Sequence, residues 1–154
     1  MKIQFVSDLH LEFNENRLYL AKNPLPIVGD VLLIAGDTAY LDKPESGENS
    51  YCQNGFWNWV AESKAEKKIV LTHHVPTGLC TAAEFSGSHI NGAFTVELGN
   101  YIADSGIDYW IYSHSHRNID AQIGDTLILS NQLGYISHGE HLWNGFKPGR
   151  WIGM

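Results

Sequence analysis

Four short apolar runs in this chain each stop at residue types that bind metal ions. Lys2–Val6 runs into Ser7-Asp8-Leu9-His10, and Val31–Ala35 into Gly36-Asp37. Ile69–Leu71 runs into Thr72-His73-His74-Val75-Pro76, and Tyr109–Tyr112 into Ser113-His114-Ser115-His116. Runs of this kind, bounded by turn residues, read as strands. Five of the eight histidines therefore lie just past a strand. In open α/β sheets ligands bind beyond the carboxyl ends of the strands, so the four clusters are expected to converge on one rim. In Asp8-x-His10 and His114-x-His116, residues two apart on an extended chain point the same way, which would turn each pair toward one ion. Imidazole and carboxylate without thiolate suit Zn, Mn, Fe, Co or Ni rather than Ca, Mg or an iron–sulfur cluster.

The segments between these runs predict helices and loops. Glu15–Lys22 reads as a short helix ended by Asn23-Pro24 and Pro26. The continuous apolar run Val31–Ala35 has the signature of a strand buried on both faces. Residues 42–54 are polar and loop-like, and Phe56–Lys68 reads as an amphipathic helix with a basic last turn. Thr81–Phe85 is one helical turn within the aperiodic stretch 77–92. Phe94–Ser105 is a helix stopped by Gly106. Ile119–Ile123, Gly124-Asp125 and Leu127–Leu129 form a hairpin. Trp143, Phe146 and Trp151 follow no pattern and are expected to cover an exposed face. Strands alternating with helices give an α/β class with a partly antiparallel sheet, in a single domain over 1–154. At 154 residues the chain is too short for a (β/α)₈ barrel, which needs at least ~200.

Composition narrows the partners. Net charge is −7 with histidines neutral, and Lys64, Lys67 and Lys68 are the nearest approach to a basic cluster. Without a basic stripe the chain is a poor general nucleic-acid binder, since phosphate contacts supply most of that affinity. Cys52 and Cys80 are isolated and form no Cys-x-x-Cys. They are read as free thiols. Asp8 interrupts the first apolar stretch, so no secretory signal is read there. No apolar run approaches the ~20 residues of a membrane span, and a cytoplasmic protein is expected.

The residues Asp8-Leu9-His10, Gly36-Asp37, His73 and Ser113-His114-Ser115-His116, in this order, resemble the calcineurin-like metallophosphoesterases. That family's pattern is Asp-x-His, Gly-Asp, Gly-Asn-His-Asp/Glu, a histidine after a strand, and Gly-His-x-His. Here Ser113 stands in place of the usual glycine. The resemblance implies a layered mixed-sheet sandwich flanked by helices. It implies up to two divalent transition-metal ions, one held by Asp8, His10, Asp37 and His116. The other would be held in part by Asp37, His73 and His114, with Asp37 bridging. It further implies hydrolysis of a small phosphomonoester or phosphodiester by a metal-bound hydroxide. His74 would line the pocket, and Arg117 would pair with the phosphate.

One block of the family pattern is missing. No Gly-Asn-His-Asp/Glu stands between Asp37 and His73, an interval of 35 residues. The expected cause is an internal deletion. The lost asparagine would have completed the second metal site, and the lost histidine would have assisted the leaving group. Loss of such assistance typically costs 10²–10⁴-fold. Asn49, Asn54, His89, Asn91 and Asn131 are the residues available to substitute, but none has the strand-end setting. A deleted strand bares backbone edges, and a homodimer covering that surface is expected. The alternatives are a catalytically inactive metal-binding remnant and a structural domain without metal.

Overall fold

The computed structural model describes residues 1–36, 63, 65–85, 87–89 and 91–154. Seven strands are found among them: β1 (Lys2–Ser7), β2 (Val31–Ala35), β3 (Ile69–Leu71), β4 (Tyr109–Tyr112), β5 (Ala121–Ile123), β6 (Thr126–Ser130) and β7 (Trp151–Gly153). They form two sheets of mixed direction. In the first, β1 lies between parallel β2 and antiparallel β7. In the second, the order is β3-β4-β6-β5, with only β5 antiparallel. Two short helices, α1 (Asn14–Lys22) and α2 (Gly99–Asp104), and several 3₁₀ turns complete this α/β fold.

Side-chain alternation along the strands builds the core in layers. Ile3, Phe5 and Ile152 of the first sheet meet Ile111 and Leu129 of the second. On the opposite face of the second sheet, Val70, Trp110, Tyr112 and Ile128 pack on Ile102 of α2, Ile107, Val75 and Cys80. A third cluster joins Val6, Leu9 and Leu133 to Tyr19 and Leu20 of α1. Burying a leucine- or phenylalanine-sized side chain contributes roughly 1.5–3 kcal/mol. The second sheet thus packs apolar side chains on both faces.

The sheets are stitched together at one end. Ser7 N–H donates to Asn131 O (3.0 Å) and Leu133 N–H donates to Ser7 O (3.0 Å). β1, β2, β3, β4 and β6 all deliver their carboxyl ends to that edge. This is the rim the sequence pattern predicts.

Several expectations need correction. β2 is a strand over the predicted residues, yet it is not buried on both faces. Val31, Leu32 and Ile34 are 39, 49 and 50% exposed, and among the described residues β2 pairs only with β1. The helix expected over 94–105 begins only at Gly99. Residues 94–98 instead bridge to Val75, and the Glu97 carboxylate accepts from Gly99 N–H and Gly78 N–H (both 2.8 Å). The strand expected from Ile119 begins at Ala121, since Ile119 is tied by its carbonyl and amide to the Tyr112 hydroxyl. Trp151 belongs to β7, a strand the aperiodic tail did not announce. The predicted helix over 56–68 lies largely outside the described residues, and its described end, 65–68, is an irregular bend. Cys52, Asn49 and Asn54 also lie outside them. No helix among the described residues is long and apolar enough to cross a membrane.

Candidate metal centre

The segments after β1 and β4 are not extended, as the two-residue spacing had suggested. Asp8, His10, His114 and His116 have φ of 50, 48, 76 and 50°, and they are the only non-glycine residues of positive φ among those described. Such left-handed conformations cost about 1–3 kcal/mol each and persist where the surroundings over-determine them, commonly at functional sites. The pairs still converge, but through alternating left-handed turns.

Asp8, His10 and His116 each offer a ligand atom within 4.8 Å of the others. His10 Nε2 and His116 Nε2 face one another at 3.0 Å, and His116 Nε2 is 3.9 Å from Asp8 Oδ1. All three residues are buried, with Asp8 fully so. Burial pushes the Asp8 carboxyl up from the ordinary carboxylate range. Its Oδ1 accepts from His114 N–H at 3.1 Å. Its Oδ2 and the neighbouring Ser7 hydroxyl are buried without a partner of hydrogen-bonding geometry among the described residues.

The outer partners fix both rings. His10 Nδ1 donates to Glu12 Oε1 (2.8 Å), and His116 Nδ1 donates to Glu140 Oε2 (2.8 Å). A carboxylate only accepts, so Nδ1 carries the proton in each ring and Nε2 presents a lone pair. This carboxylate–imidazole pairing is the usual support of a metal-bound histidine. Two lone pairs at 3.0 Å repel unless a proton or cation lies between them. Two nitrogens bound at ~2.1 Å to one ion stand about 3.0–3.4 Å apart, depending on the bond angle. The spacing, the unpartnered Asp8 oxygen and the donor set thus fit a divalent transition-metal ion.

A second group of imidazoles adjoins the first. His73, His74 and His114 have ring centroids 4.4 Å (His73–His114), 5.1 Å (His74–His114) and 5.3 Å (His73–His74) apart. A cavity of about 310 Å³ opens beside His73 and His74, bounded by Pro76 and Val96. Gly36 closes the rim: a Cβ there would meet Ser113 Cβ at 2.6 Å and Asp8 Oδ1 at 3.1 Å, and its φ is +67°. Asp37, the expected bridging ligand, lies outside the described residues.

Arg117 is held by its own neighbours. Its Nε donates to Glu84 Oε1 (2.6 Å), and its guanidinium lies 4.2 Å from the Trp143 ring and 5.2 Å from Phe85. Asn131 is committed to backbone: Nδ2 donates to Phe5 O and Lys147 O, and Oδ1 accepts from Lys147 N–H. It does not stand in for a lost ligand. Glu12, Glu140, Gln132 and Tyr135 were not anticipated. Gln132 Oε1 accepts from His116 N–H at 2.6 Å, and the Tyr135 ring packs on His10 (4.5 Å) and His116 (4.7 Å). Only Glu12 carried a signal, as the acid two residues after His10. Comparisons of this chain with protein-family models, with curated proteins and with solved structures gave no match.

Proposed function

We propose that the protein is a metal-dependent phosphoesterase of the calcineurin-like type, hydrolysing a small phosphomonoester or phosphodiester. The observation that carries this reading is the pair of facing Nε2 atoms of His10 and His116 beside the Asp8 carboxylate, whose Oδ2 has no hydrogen-bond partner among the described residues. Two sheets sharing a core, with the ligand-type residues at one rim, support the layered-sandwich resemblance.

Asp8, His10 and His116 would hold one ion, with Asp37 added from the chain beyond Gly36. His73 and His114, again with Asp37, would hold a second. A bound ion of this class supplies Lewis acidity and lowers the pKa of its water toward neutrality. The chain does the rest. Glu12 and Glu140 keep the His10 and His116 rings oriented. Asp8 spans the two groups by accepting from His114 N–H. His74, beside the open cavity, is assigned the proton that the departing ester oxygen requires. Arg117 aids phosphate binding only by exchanging Glu84 for the substrate. Water supplies the oxygen that bonds to phosphorus, the ester P–O bond breaks, and the alcohol leaves with a proton.

The test is metal stoichiometry after reconstitution with Mn²⁺ or Zn²⁺ and desalting, paired with turnover of a chromogenic phosphodiester. One or two ions per chain, with turnover abolished by Asp8→Asn, is the expected result. Bound metal without turnover would leave an inactive metal-binding remnant. No metal under either condition would overturn the reading.

A further inference from the structure

The organic part of the ester is left open by the metal-ligand residues, but a second cavity bears on it. A space of about 110 Å³ is lined by Val75, Ala82, Phe85, Phe94, Thr95 and Ser115. Ser88 and Asn91 also line it, and its other polar side chains are already paired. The Thr81 and Thr95 hydroxyls pair with each other at 3.2 Å, and Ser115 Oγ lies between Gln132 Nε2 (3.2 Å) and Arg117 O (3.3 Å). The rest of the wall is aliphatic and aromatic carbon, which favours an apolar occupant.

Three of its walls belong to the candidate centre. Ser115 is the residue between His114 and His116. Phe94 stacks on His114, with ring centroids 4.6 Å apart and planes at 25°. Phe85 lies 5.2 Å from the Arg117 guanidinium. A group seated here therefore lies beside the His114–His116 segment.

We propose that this cavity is the subsite for the organic group of the ester, and that it takes one compact carbon ring, aryl or cycloalkyl. The size argues for a single ring: an apolar cavity of about 150 Å³ holds benzene, so the space here suits a ring that enters without being wholly enclosed. The mostly apolar walls argue against a sugar, most of whose hydroxyls would be left unpaired. The catalytic consequence rests on the phosphoesterase reading, whereas affinity for the ring does not. For a ring monoester, water's oxygen joins phosphorus, the ester P–O bond breaks, and the ring alcohol departs with a proton, leaving inorganic phosphate.

Two measurements separate the claims. Metal-free protein is titrated with cyclohexanol and followed by methyl NMR. Shifts confined to Val75, Ala82 and Thr95 are expected, saturating in the millimolar range. Binding should weaken at least about tenfold in Ala82→Leu, which fills the cavity. Ser88→Leu, at an exposed lining position, repeats the test should the first variant fail to fold. With Mn²⁺ added, kcat/KM for cyclohexyl phosphate should exceed that for methyl phosphate by about tenfold or more, and the ratio should fall toward one in the filled variants. Cyclohexanol shifts at these methyls without hydrolysis of either ester or of the chromogenic phosphodiester would keep the subsite and sink the phosphoesterase reading. Equal hydrolysis of both esters with no such shifts would keep that reading and overturn the subsite.

Discussion

Ser113 and His73 are tied twice: the Ser113 hydroxyl donates to the His73 carbonyl oxygen at 3.0 Å and accepts from His73 Nδ1 at 3.0 Å. A hydroxyl has one proton, so giving it to the carbonyl makes the oxygen an acceptor for Nδ1–H. His73 Nε2 then carries the lone pair. Ser113 therefore orients the ring of a predicted ligand. Ser113→Ala should cost about 1–3 kcal/mol by removing the hydroxyl that accepts from Nδ1–H, read in a urea titration. It should also shift the His73 ring nitrogen signals toward a tautomer mixture in ¹⁵N NMR.

The same serine explains Gly36. A Cβ at Gly36 would collide with both Ser113 Cβ and its hydroxyl, at a backbone φ of +67°. Gly36→Ala should destabilise by at least about 2 kcal/mol, the left-handed conformation alone costing roughly 1–3 kcal/mol. Adding Ser113→Gly should remove the steric part. A double-mutant cycle in denaturant reads this as a coupling of about 1 kcal/mol or more between the two positions. Additive losses would place the Gly36 requirement in its backbone alone.

The candidate site was legible because its ligands come in short motifs at strand ends. β2, β3 and β4 follow continuous apolar runs and β1 a mostly apolar one broken by Gln4, and strands of that kind are set by their own sequence once a core accepts them. The left-handed turns at Asp8, His10, His114 and His116 were not legible. Aspartate and histidine tolerate that region without announcing it, and only the close approach of the two segments demands it. Glu140 reaches His116 from a run of 3₁₀ turns without periodicity, so nothing local marks it. β7 is three residues between Gly149-Arg150 and the last residue, too short to show alternation, and exists because β1 offers it an edge. β2 was misjudged for the converse reason: an apolar run reports what a strand can bury, not how many neighbours it has.

Glu140 should control metal affinity without touching the ion. Its Oε2 accepts from His116 Nδ1 (2.8 Å) and from Tyr135 N–H (2.7 Å). Loss of a carboxylate behind a metal-bound histidine typically weakens binding 10–100-fold. Glu140→Ala should show about that loss for Zn²⁺ by calorimetry. Glu140→Gln, which keeps an acceptor, should lose less. Equal affinities in all three proteins would detach Glu140 from the metal centre.

Cys80 and Tyr112 predict alkaline lability. Both are buried in one cluster, and burial pushes the Cys80 thiol up to about 11 and the Tyr112 phenol far above its ordinary value. In the folded protein these groups keep their protons at pH values where the unfolded chain has lost them. Stability therefore falls as pH rises above about 9, where the unfolded thiol ionises. The melting temperature should decline between pH 8.5 and 10.5, by less in Cys80→Ala, with those limits set roughly by the thiol's ordinary range. Below pH 8, with Cys52 replaced by serine, Cys80 should resist iodoacetamide in the native state and react in urea, since the thiolate is the nucleophile.

Asp8 offers the sharpest separation of function from stability. Its carboxylate is fully buried, one oxygen lacks a partner among the described residues, and its backbone sits at φ 50°. A buried unpartnered oxygen on a charged group costs free energy that a bound cation would recover. Asp8→Asn keeps the shape and the acceptor for His114 N–H while removing the charge. Metal-free Asp8→Asn should therefore melt at a higher temperature than the metal-free parent. The parent should gain about 2.7 kcal/mol of stability at a Zn²⁺ concentration one hundred times its dissociation constant, and Asp8→Asn should gain clearly less at that concentration. Thermal melts of both proteins, with chelator and with Zn²⁺, check this crossing. A variant less stable than its parent under chelator, with its metal response intact, would mean that Asp8 is held for packing rather than for an ion.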